Sequence, residues 1–147
     1  MPTYALTLRW EGDTSDYASY SRRYRVAIEG KPELVGSADP RFRGEAELWN
    51  PEDLLMAAVA GCHMLSYLAL CARAGIRVVS YEDAAEGRLV FEGGGGQFEE
   101  IVLRPRVVIA SGDRGQAIAL HERAGELCFI ARSCNFPIRH EPVVDDQ

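Results

Sequence analysis

Residues 50–75 read NPEDLLMAAVAGCHMLSYLALCARAG, and no other stretch constrains the architecture as strongly. Its first four residues combine a helix N-cap, a proline at the first helical position and two carboxylates in the first turn. From Leu54 to Ala72 no residue is charged, and apolar or small side chains occur on every face. A helix without a polar face must be buried on all sides, so we predict a central core helix that ends near Gly75.

The same stretch offers a surface of small residues along which a second backbone can approach closely; it consists of Ala57, Ala58, Ala60 and Gly61. A chain of 147 residues has little material with which to surround such a helix alone. We therefore expect a homodimer in which two copies of the helix pack together. The helix approaches the length of a membrane span, but His63, Ser66 and the lack of basic anchors at its ends favour a soluble core.

Composition and charge exclude several classes of partner. The formal net charge is −6, and the 16 Lys and Arg residues are scattered rather than gathered into a stripe. Phosphate binding needs a basic footprint, so we expect no nucleic-acid partner. Residues 1–4 lead into strand-like sequence without a basic or apolar export signal. We expect a cytoplasmic protein that does not associate with membranes.

The remaining patterns predict an α+β protein with one domain over residues 1–147. A second helix should follow Asp113, over residues 114–133. An irregular connection carrying one short strand is predicted over residues 31–49, and the glycine run 93–96 is typical of a hairpin tip. Period-two alternation or strand-forming composition predicts strands over Thr3–Trp10, Tyr24–Ile28, Ile76–Ser80, Gly87–Phe91, Phe98–Ala110 and Phe136–Val144.

The four cysteines are candidates for chemistry: Cys62, Cys71, Cys128 and Cys134. In an unexported chain they are too few for a disulfide scaffold and would normally stay reduced. No C-x-x-C pair is present, so we expect neither a metal site nor a bound cofactor. Composition alone favours buried, inert thiols. Nine residues of helix rotate through 900°, so Cys62 and Cys71 should face opposite sides and cannot bond within one helix.

Several segments resemble the OsmC/Ohr family of proteins. Residues 50–64 are similar to the family's helix start, which begins with N/D-P-E and continues through a hydrophobic residue and A-A-x-x-x to a cysteine, and AGI (74–76), SY (80–81), LRP (103–105) and CFIARS (128–133) follow in the family's order. The YSR and CHM segments, at 20–22 and 62–64, resemble one OsmC-like subgroup. The resemblance spans nearly the whole chain. It implies an OsmC-like fold, with antiparallel sheets around long central buried helices in an intertwined homodimer.

The resemblance also implies a catalytic set. Cys62 matches the peroxidatic cysteine, which attacks the peroxide, and Cys128 matches the resolving cysteine. Glu52 matches a glutamate that holds an activating arginine, and Arg22 is the best candidate for that arginine; the fallback candidates are Arg23, Arg41 and Arg43. A neighbouring cation is needed because a free thiol of pKa about 8.5 is mostly protonated at neutral pH.

The activity implied is a thiol-dependent peroxidase that reduces organic hydroperoxides and hydrogen peroxide, with a dithiol or a lipoylated protein as reductant. Two other interpretations stay open. One is a non-catalytic protein that binds a hydrophobic ligand, and the other is a redox sensor whose disulfide signals to a partner. His63 stands where other branches of the family carry a hydrophobic or aromatic residue.

Overall fold

The computed structural model describes all residues from Met1 to Gln147. Three sheets and three α-helices make up the chain, which confirms the predicted α+β class. By their internal contacts the residues divide into two compact units, Met1–Leu55 and Met56–Gln147.

The first unit contains a three-stranded antiparallel sheet in the order β1-β2-β3. Its strands are β1 (Thr7–Arg9), β2 (Tyr24–Ala27) and β3 (Leu34–Gly36), and a short 3-10 helix follows at Pro40–Phe42. The predicted pairing of the first two strands is confirmed, with Leu8 opposite Val26. Strand β1 is shorter than the predicted Thr3–Trp10, because the ladder with β2 covers only three residues.

Helix α1 runs unbroken from Pro51 to Arg73. Its start is a reciprocal cap: Asn50 Oδ1 accepts the N–H of Asp53 at 2.8 Å, and Asp53 Oδ2 accepts the N–H of Asn50 at 3.1 Å. Its end lies just before Gly75, whose φ of +74° is a conformation that glycine adopts without strain. The caps confirm the predicted boundaries of this helix.

Burial of α1 within one chain is confined to a stripe. Only four of its residues are fully buried, at intervals of four: Val59, His63, Tyr67 and Cys71. Leu65 remains 65% exposed. The helix is long and apolar enough to cross a membrane, with a mean hydropathy of 1.9, and 22% of that stretch is buried. The predicted burial on all sides is therefore not achieved by a single chain.

The second unit contains two further sheets, in the orders β4-β7-β9 and β5-β6-β8. The strands are β4 (Arg77–Asp83), β5 (Glu86–Glu92), β6 (Gly95–Leu103), β7 (Pro105–Ser111), β8 (Ile138–His140) and β9 (Val143–Asp146). The β4–β7 and β5–β6 pairs are antiparallel, whereas β8 and β9 pair in parallel with β6 and β7. The sheets are thus antiparallel with one parallel edge strand each.

Two strands predicted as continuous are divided in the structure. The predicted strand 98–110 is split at Arg104, because the N–H of Arg104 donates to Asp83 Oδ1 at 2.8 Å and Pro105 has no N–H to donate. The predicted strand 136–144 is divided around Pro142 into β8 and β9. Each division sends the chain from one sheet to the other.

The predicted helix 114–133 is also two elements, α2 (Arg114–Leu127) and α3 (Phe129–Arg132). Asp113 caps α2 as predicted, with its Oδ1 accepting the N–H of Gln116 at 2.8 Å. The interruption is at Cys128, whose ψ of 112° is extended rather than helical. A hydrophobic core cluster joins α1, α2, β7 and β9; it comprises Tyr67, Cys71, Ile76, Val107, Ile109, Ala117, Ala124 and Val144.

Candidate active site

Cys62 lies on α1 at the wall of an open cleft in the second unit. Its side chain is partly exposed, and the cleft has a volume of about 570 Å³. Helix α1 and the start of α3 provide the walls, which are lined by Ala57, Ala58, Gly61, Cys62, Leu65, Ser66, Phe129 and Ile130. Because nearly all of these side chains are apolar or small, the cleft suits a hydrophobic molecule.

Cys128 is buried at the break between α2 and α3 and contacts Cys62. Its Sγ accepts the N–H of Ala131 at 3.4 Å, so the thiol caps the N-terminus of α3. Burial and, second, the contact with the Cys62 thiol raise the pKa of Cys128 to about 11. At neutral pH Cys128 is a protonated thiol held against the sulfur of Cys62.

The other two cysteines have different surroundings. Cys71 is buried and contacts Tyr67, and burial raises the pKa of its thiol. Cys134 is partly exposed, its Sγ donates to the carbonyl oxygen of Ile130 at 3.3 Å, and burial raises its pKa as well. The structure thus pairs Cys62 with Cys128.

Arg22 belongs to the first unit, where aromatic residues hold it. Its guanidinium donates to the carbonyl oxygens of Tyr20 and Tyr17 and lies 3.5 Å from the centre of the Tyr20 ring. It lines a cavity of about 330 Å³, together with Trp10, Thr14, Tyr20, Ser21, Tyr24, Ser37, Ala38 and Pro51. Carbonyl oxygens and a ring face fix the side chain, and its charge also acts on Asp16, whose pKa is lowered mainly by hydrogen bonds from Ser19 and Ala18.

The fallback arginines differ in their partners. Arg23 forms a two-pronged ion pair with Glu45, and Arg41 pairs with Asp39 at 3.2 Å. Arg43 lies 5.6 Å from the centre of the Tyr17 ring. The carboxylate partners make Arg23 and Arg41 weaker candidates for an activating cation than Arg22.

Glu52 is partly exposed in the first turn of α1. After burial, its charge is the second cause that raises the pKa of Tyr24, which lies on β2 in the same unit. Glu52 and Cys62 are ten residues apart on one unbroken helix, so about 15 Å of helix axis separates them. Within one chain, Glu52 and Cys62 are not brought together.

A cluster of three imidazoles, two of them fully buried and one partly exposed, lies in the second unit and was not predicted. Nε2 of His63 is 3.0 Å from Nδ1 of His121, and the ring of His140 stacks on that of His63 with centroids 4.4 Å apart. Tyr67 stacks on His121 at 3.8 Å. The chain has only three histidines, and one falls inside an uncharged helix. That position was the available sequence signal, but nothing in the sequence pointed to its partners.

Burial keeps these histidines neutral. It lowers the pKa of His63 to about 4 and that of His121 to about 3, with neighbouring imidazoles as the second cause. Burial also lowers the pKa of His140, although Asp83 and Glu122 oppose that shift. A neutral imidazole carries one donor and one acceptor, so His63 and His121 can share a single hydrogen bond without charge.

Comparison with known proteins gives consistent results. Residues 44–142 match the family described as OsmC-like protein. The uncharacterized protein YmaD of Bacillus subtilis is 24% identical over 135 residues, covering 88% of this chain and 85% of that protein. The solved structure of an OsmC-like protein of unknown function from Vibrio cholerae has a TM-score of 0.88 at 28% identity, covering 97% of this chain and 100% of that chain.

A second solved structure, the organic hydroperoxide resistance protein OhrB of Bacillus subtilis, has a TM-score of 0.66 at 20% identity and covers 96% of this chain and 98% of its own. This likeness concerns the fold. The family match includes α1, α2, Glu52 and both paired cysteines, whereas Arg22 lies outside it. Since the match covers residues 44–142 of 147, the chain belongs to the OsmC-like protein family.

Proposed function

We propose that this protein is a thiol-dependent peroxidase that reduces organic hydroperoxides, and hydrogen peroxide as a smaller substrate. One observation carries the proposal: a partly exposed cysteine, Cys62, lies in an apolar cleft and contacts a buried second thiol, Cys128. The family membership and the structural likeness to organic hydroperoxide resistance proteins support a role in peroxide stress.

The chemistry takes two steps at sulfur. The Cys62 thiolate attacks the distal oxygen of the O–O bond, which breaks; the alkoxide that leaves takes a proton and departs as an alcohol. Cys62 is then a sulfenic acid. The sulfur of Cys128 attacks the sulfur of Cys62, a disulfide forms, and hydroxide leaves with the Cys128 proton as water. An external dithiol, free or lipoyl-bound, reduces the disulfide and closes the cycle.

Formation of the Cys62 thiolate needs a cation, and Arg22 oriented by Glu52 is our candidate. Because Glu52 and Cys62 are far apart on one helix, these groups would reach Cys62 across a homodimer interface. The exposed apolar surface of α1 supports that assembly, because a second copy of the helix can cover it. Proteins of this family are soluble, which supports α1 as a core helix. A reducing cytoplasm would keep the resting thiols free.

The deciding experiment is steady-state turnover with cumene hydroperoxide and hydrogen peroxide, using dithiothreitol or dihydrolipoamide as reductant. We expect many equivalents of peroxide consumed per subunit, with a higher kcat/KM for the organic peroxide because the cleft is apolar. Consumption of one equivalent or less per subunit with every combination would rule out a catalyst.

One alternative is favoured by the cleft itself. Its volume of about 570 Å³ and apolar lining also fit a non-catalytic role in binding a hydrophobic ligand. A binding protein would retain its ligand after Cys62→Ala and would show no turnover. The contact with Cys128 is what makes us prefer the peroxidase, since ligand binding does not require a second thiol.

A further inference from the structure

Side-chain contacts join α1 to α2, and to Cys128 directly after it, at three levels. The hydroxyl of Tyr67 donates to the carbonyl oxygen of Ala117 at 2.8 Å, His63 and His121 share a hydrogen bond, and Cys62 meets Cys128. Along these contacts the residue numbers fall on α1 while they rise on α2. The two helices therefore run antiparallel where they meet. The thiol contact is the last of the three, at the end of α2.

Only one side of the thiol contact is fixed locally, because Cys128 Sγ accepts the N–H of Ala131 at 3.4 Å whereas no such bond holds Cys62. Cys62 faces an open cleft on one side, and Cys128 sits where the helix is interrupted. Thiols are weak hydrogen-bond partners, so they impose weak directional preference. Some other contact must therefore keep the two sulfurs adjacent.

The His63–His121 pair has the properties that such a contact requires. Both rings are about 1% exposed, and the bond joins ring nitrogens at 3.0 Å, where angle and distance are restricted. Tyr67 and His140 stack against the pair from outside. Gly125 leaves space for His140, since a Cβ at that position would come within 2.7 Å of its ring. His63 directly follows Cys62, so a shift of one backbone segment displaces both.

Two other uses of the cluster fit less well. No group of three or more His, Cys, Asp or Glu side chains is arranged to hold a metal ion. A base for Cys62 is not supported by the position of the cluster either, because His63 is absent from the lining of the cleft and its Nε2 is bonded to His121. The pair is oriented between the helices rather than toward the cleft.

We infer that the His63–His121 hydrogen bond is a positioning device, which holds α1 and α2 in the arrangement where Cys128 can attack Cys62. The pair acts on the closing of the disulfide and leaves the first oxidation of Cys62 unchanged. This inference rests on the proposed thiol chemistry but concerns a separate step. Both histidines are positioning residues, since neither touches a reacting sulfur.

The test follows thiol–disulfide exchange with glutathione disulfide and needs no peroxide. Cys62 attacks glutathione disulfide and releases one glutathione; Cys128 then attacks the Cys62–glutathione mixed disulfide and releases the second. Rapid acid quenching and mass spectrometry measure the two steps separately. Circular dichroism melts establish that each variant is folded.

Four variants separate hydrogen bonding from packing. His63→Leu removes the bond; His121→Phe removes it but keeps a ring against Tyr67. His63→Gln places an amide nitrogen near the position of Nε2 and can restore the bond. Tyr67→Phe is the matched control, because it removes another buried hydrogen bond between the same helices while keeping its ring. Should His63→Leu fail to fold, His121→Phe supplies the variant without the bond.

We expect His63→Leu and His121→Phe to slow release of the second glutathione by about tenfold or more, since misplacing reacting atoms by about 1 Å can cost a factor of about 10². The first step should stay close to wild type, and His63→Gln should recover most of the loss. Wild-type closure in both variants without the bond, an equal loss in Tyr67→Phe, or no recovery in His63→Gln would overturn the inference. Normal exchange without peroxide turnover would contradict the proposed function alone.

Discussion

Cys62 and Cys71 lie nine residues apart on one helix, yet their thiols have different partners. Cys62 lines the cleft and contacts Cys128, whereas Cys71 is buried against Tyr67. Mild peroxide treatment should therefore produce one intramolecular disulfide, between Cys62 and Cys128. Peptide mapping under non-reducing conditions measures the pairing. Cys71→Ala should leave the pairing unchanged, and a product in which Cys62 is joined mainly to Cys71 or Cys134 would refute the assignment.

Replacement of Cys62 and replacement of Cys128 should impair peroxide reduction at different steps. Cys62→Ser should abolish peroxide reduction, whereas Cys128→Ser should reduce about one equivalent of peroxide per subunit and then stall as sulfenic acid or over-oxidise. The difference follows from exposure, because Cys62 is open to the cleft and Cys128 is buried. Single-turnover peroxide consumption, combined with trapping of the sulfenic acid by dimedone, measures both. Loss of the first equivalent in both variants would remove the division of roles.

Activation by Arg22 should be visible in the reactivity of Cys62. Arg22→Ala should slow alkylation of Cys62 at pH 7 by about tenfold, because a nearby cation typically favours the thiolate by one or more pKa units. Arg22→Lys should preserve part of the rate. Arg41→Ala is the matched control, since Arg41 is exposed and paired with Asp39. If Arg22→Ala has no effect while Arg43→Ala does, the cation is Arg43.

The buried histidines should make the protein sensitive to mild acid. The pKa of His63 falls from an unfolded value of 6.5 to about 4, and that of His121 to about 3, so the unfolded state binds more protons below pH 6.5. The free energy of unfolding should therefore decrease as pH falls from 7 toward 4, by at most about 1.4 kcal/mol per pH unit for each histidine. Urea titrations at several pH values measure this slope.

Other titratable groups near the histidine cluster also affect the pH dependence of stability, so the experiment needs a control variant. Burial raises the pKa of Asp83, so its protonation in the folded state opposes the histidine effect. Burial raises the pKa of Tyr81 too, far above this range. His121→Phe removes one titrating group and should flatten the slope between pH 6.5 and 5. An unchanged slope in this variant would show that His121 does not contribute to the acid sensitivity, because only His63 and His140 would still titrate there.

Sequence motifs of a few residues predicted those features of the fold that depend only on neighbouring residues. The cap at Asn50, the helix end at Gly75 and the cap at Asp113 each depend on a few neighbouring residues, and all are confirmed. The break at Arg104 depends on a partner distant in sequence, because Asp83 accepts the backbone N–H of Arg104, and the contact of Cys128 with Cys62 likewise joins distant segments. Hydrophobic periodicity and amino-acid composition carry no information about such distant partners.

The candidate site likewise has one part that the sequence predicted and one part that it did not. The cysteine pair came from a resemblance in motifs, and the structure places the two thiols in contact. The histidine cluster escaped prediction because its members come from α1, α2 and β8, and the position of His63 in an uncharged helix does not reveal its partners. A single buried histidine is usually explained by local packing; three become informative only when the fold brings them together.

Each active site should be assembled from residues of two subunits. Because α1 is unbroken from Pro51 to Arg73, Glu52 cannot approach the Cys62 of its own helix. If Glu52 assists the thiol, it must come from the partner subunit, and the exposed apolar surface of α1 is where two copies can pack. Glu52→Ala and Cys62→Ser homodimers should each be defective. Mixing them should create heterodimers with one intact site, formed by Glu52 of the Cys62→Ser chain and Cys62 of the other, so peroxidase activity should reappear. The control mixture combines Glu126→Ala with Cys62→Ser, since Glu126 lies on an exposed part of α2. Subunit exchange in this mixture should add no activity beyond that of the sites already intact in the Glu126→Ala protein. If native mass spectrometry confirms subunit exchange and activity does not return, the active site is not shared between subunits.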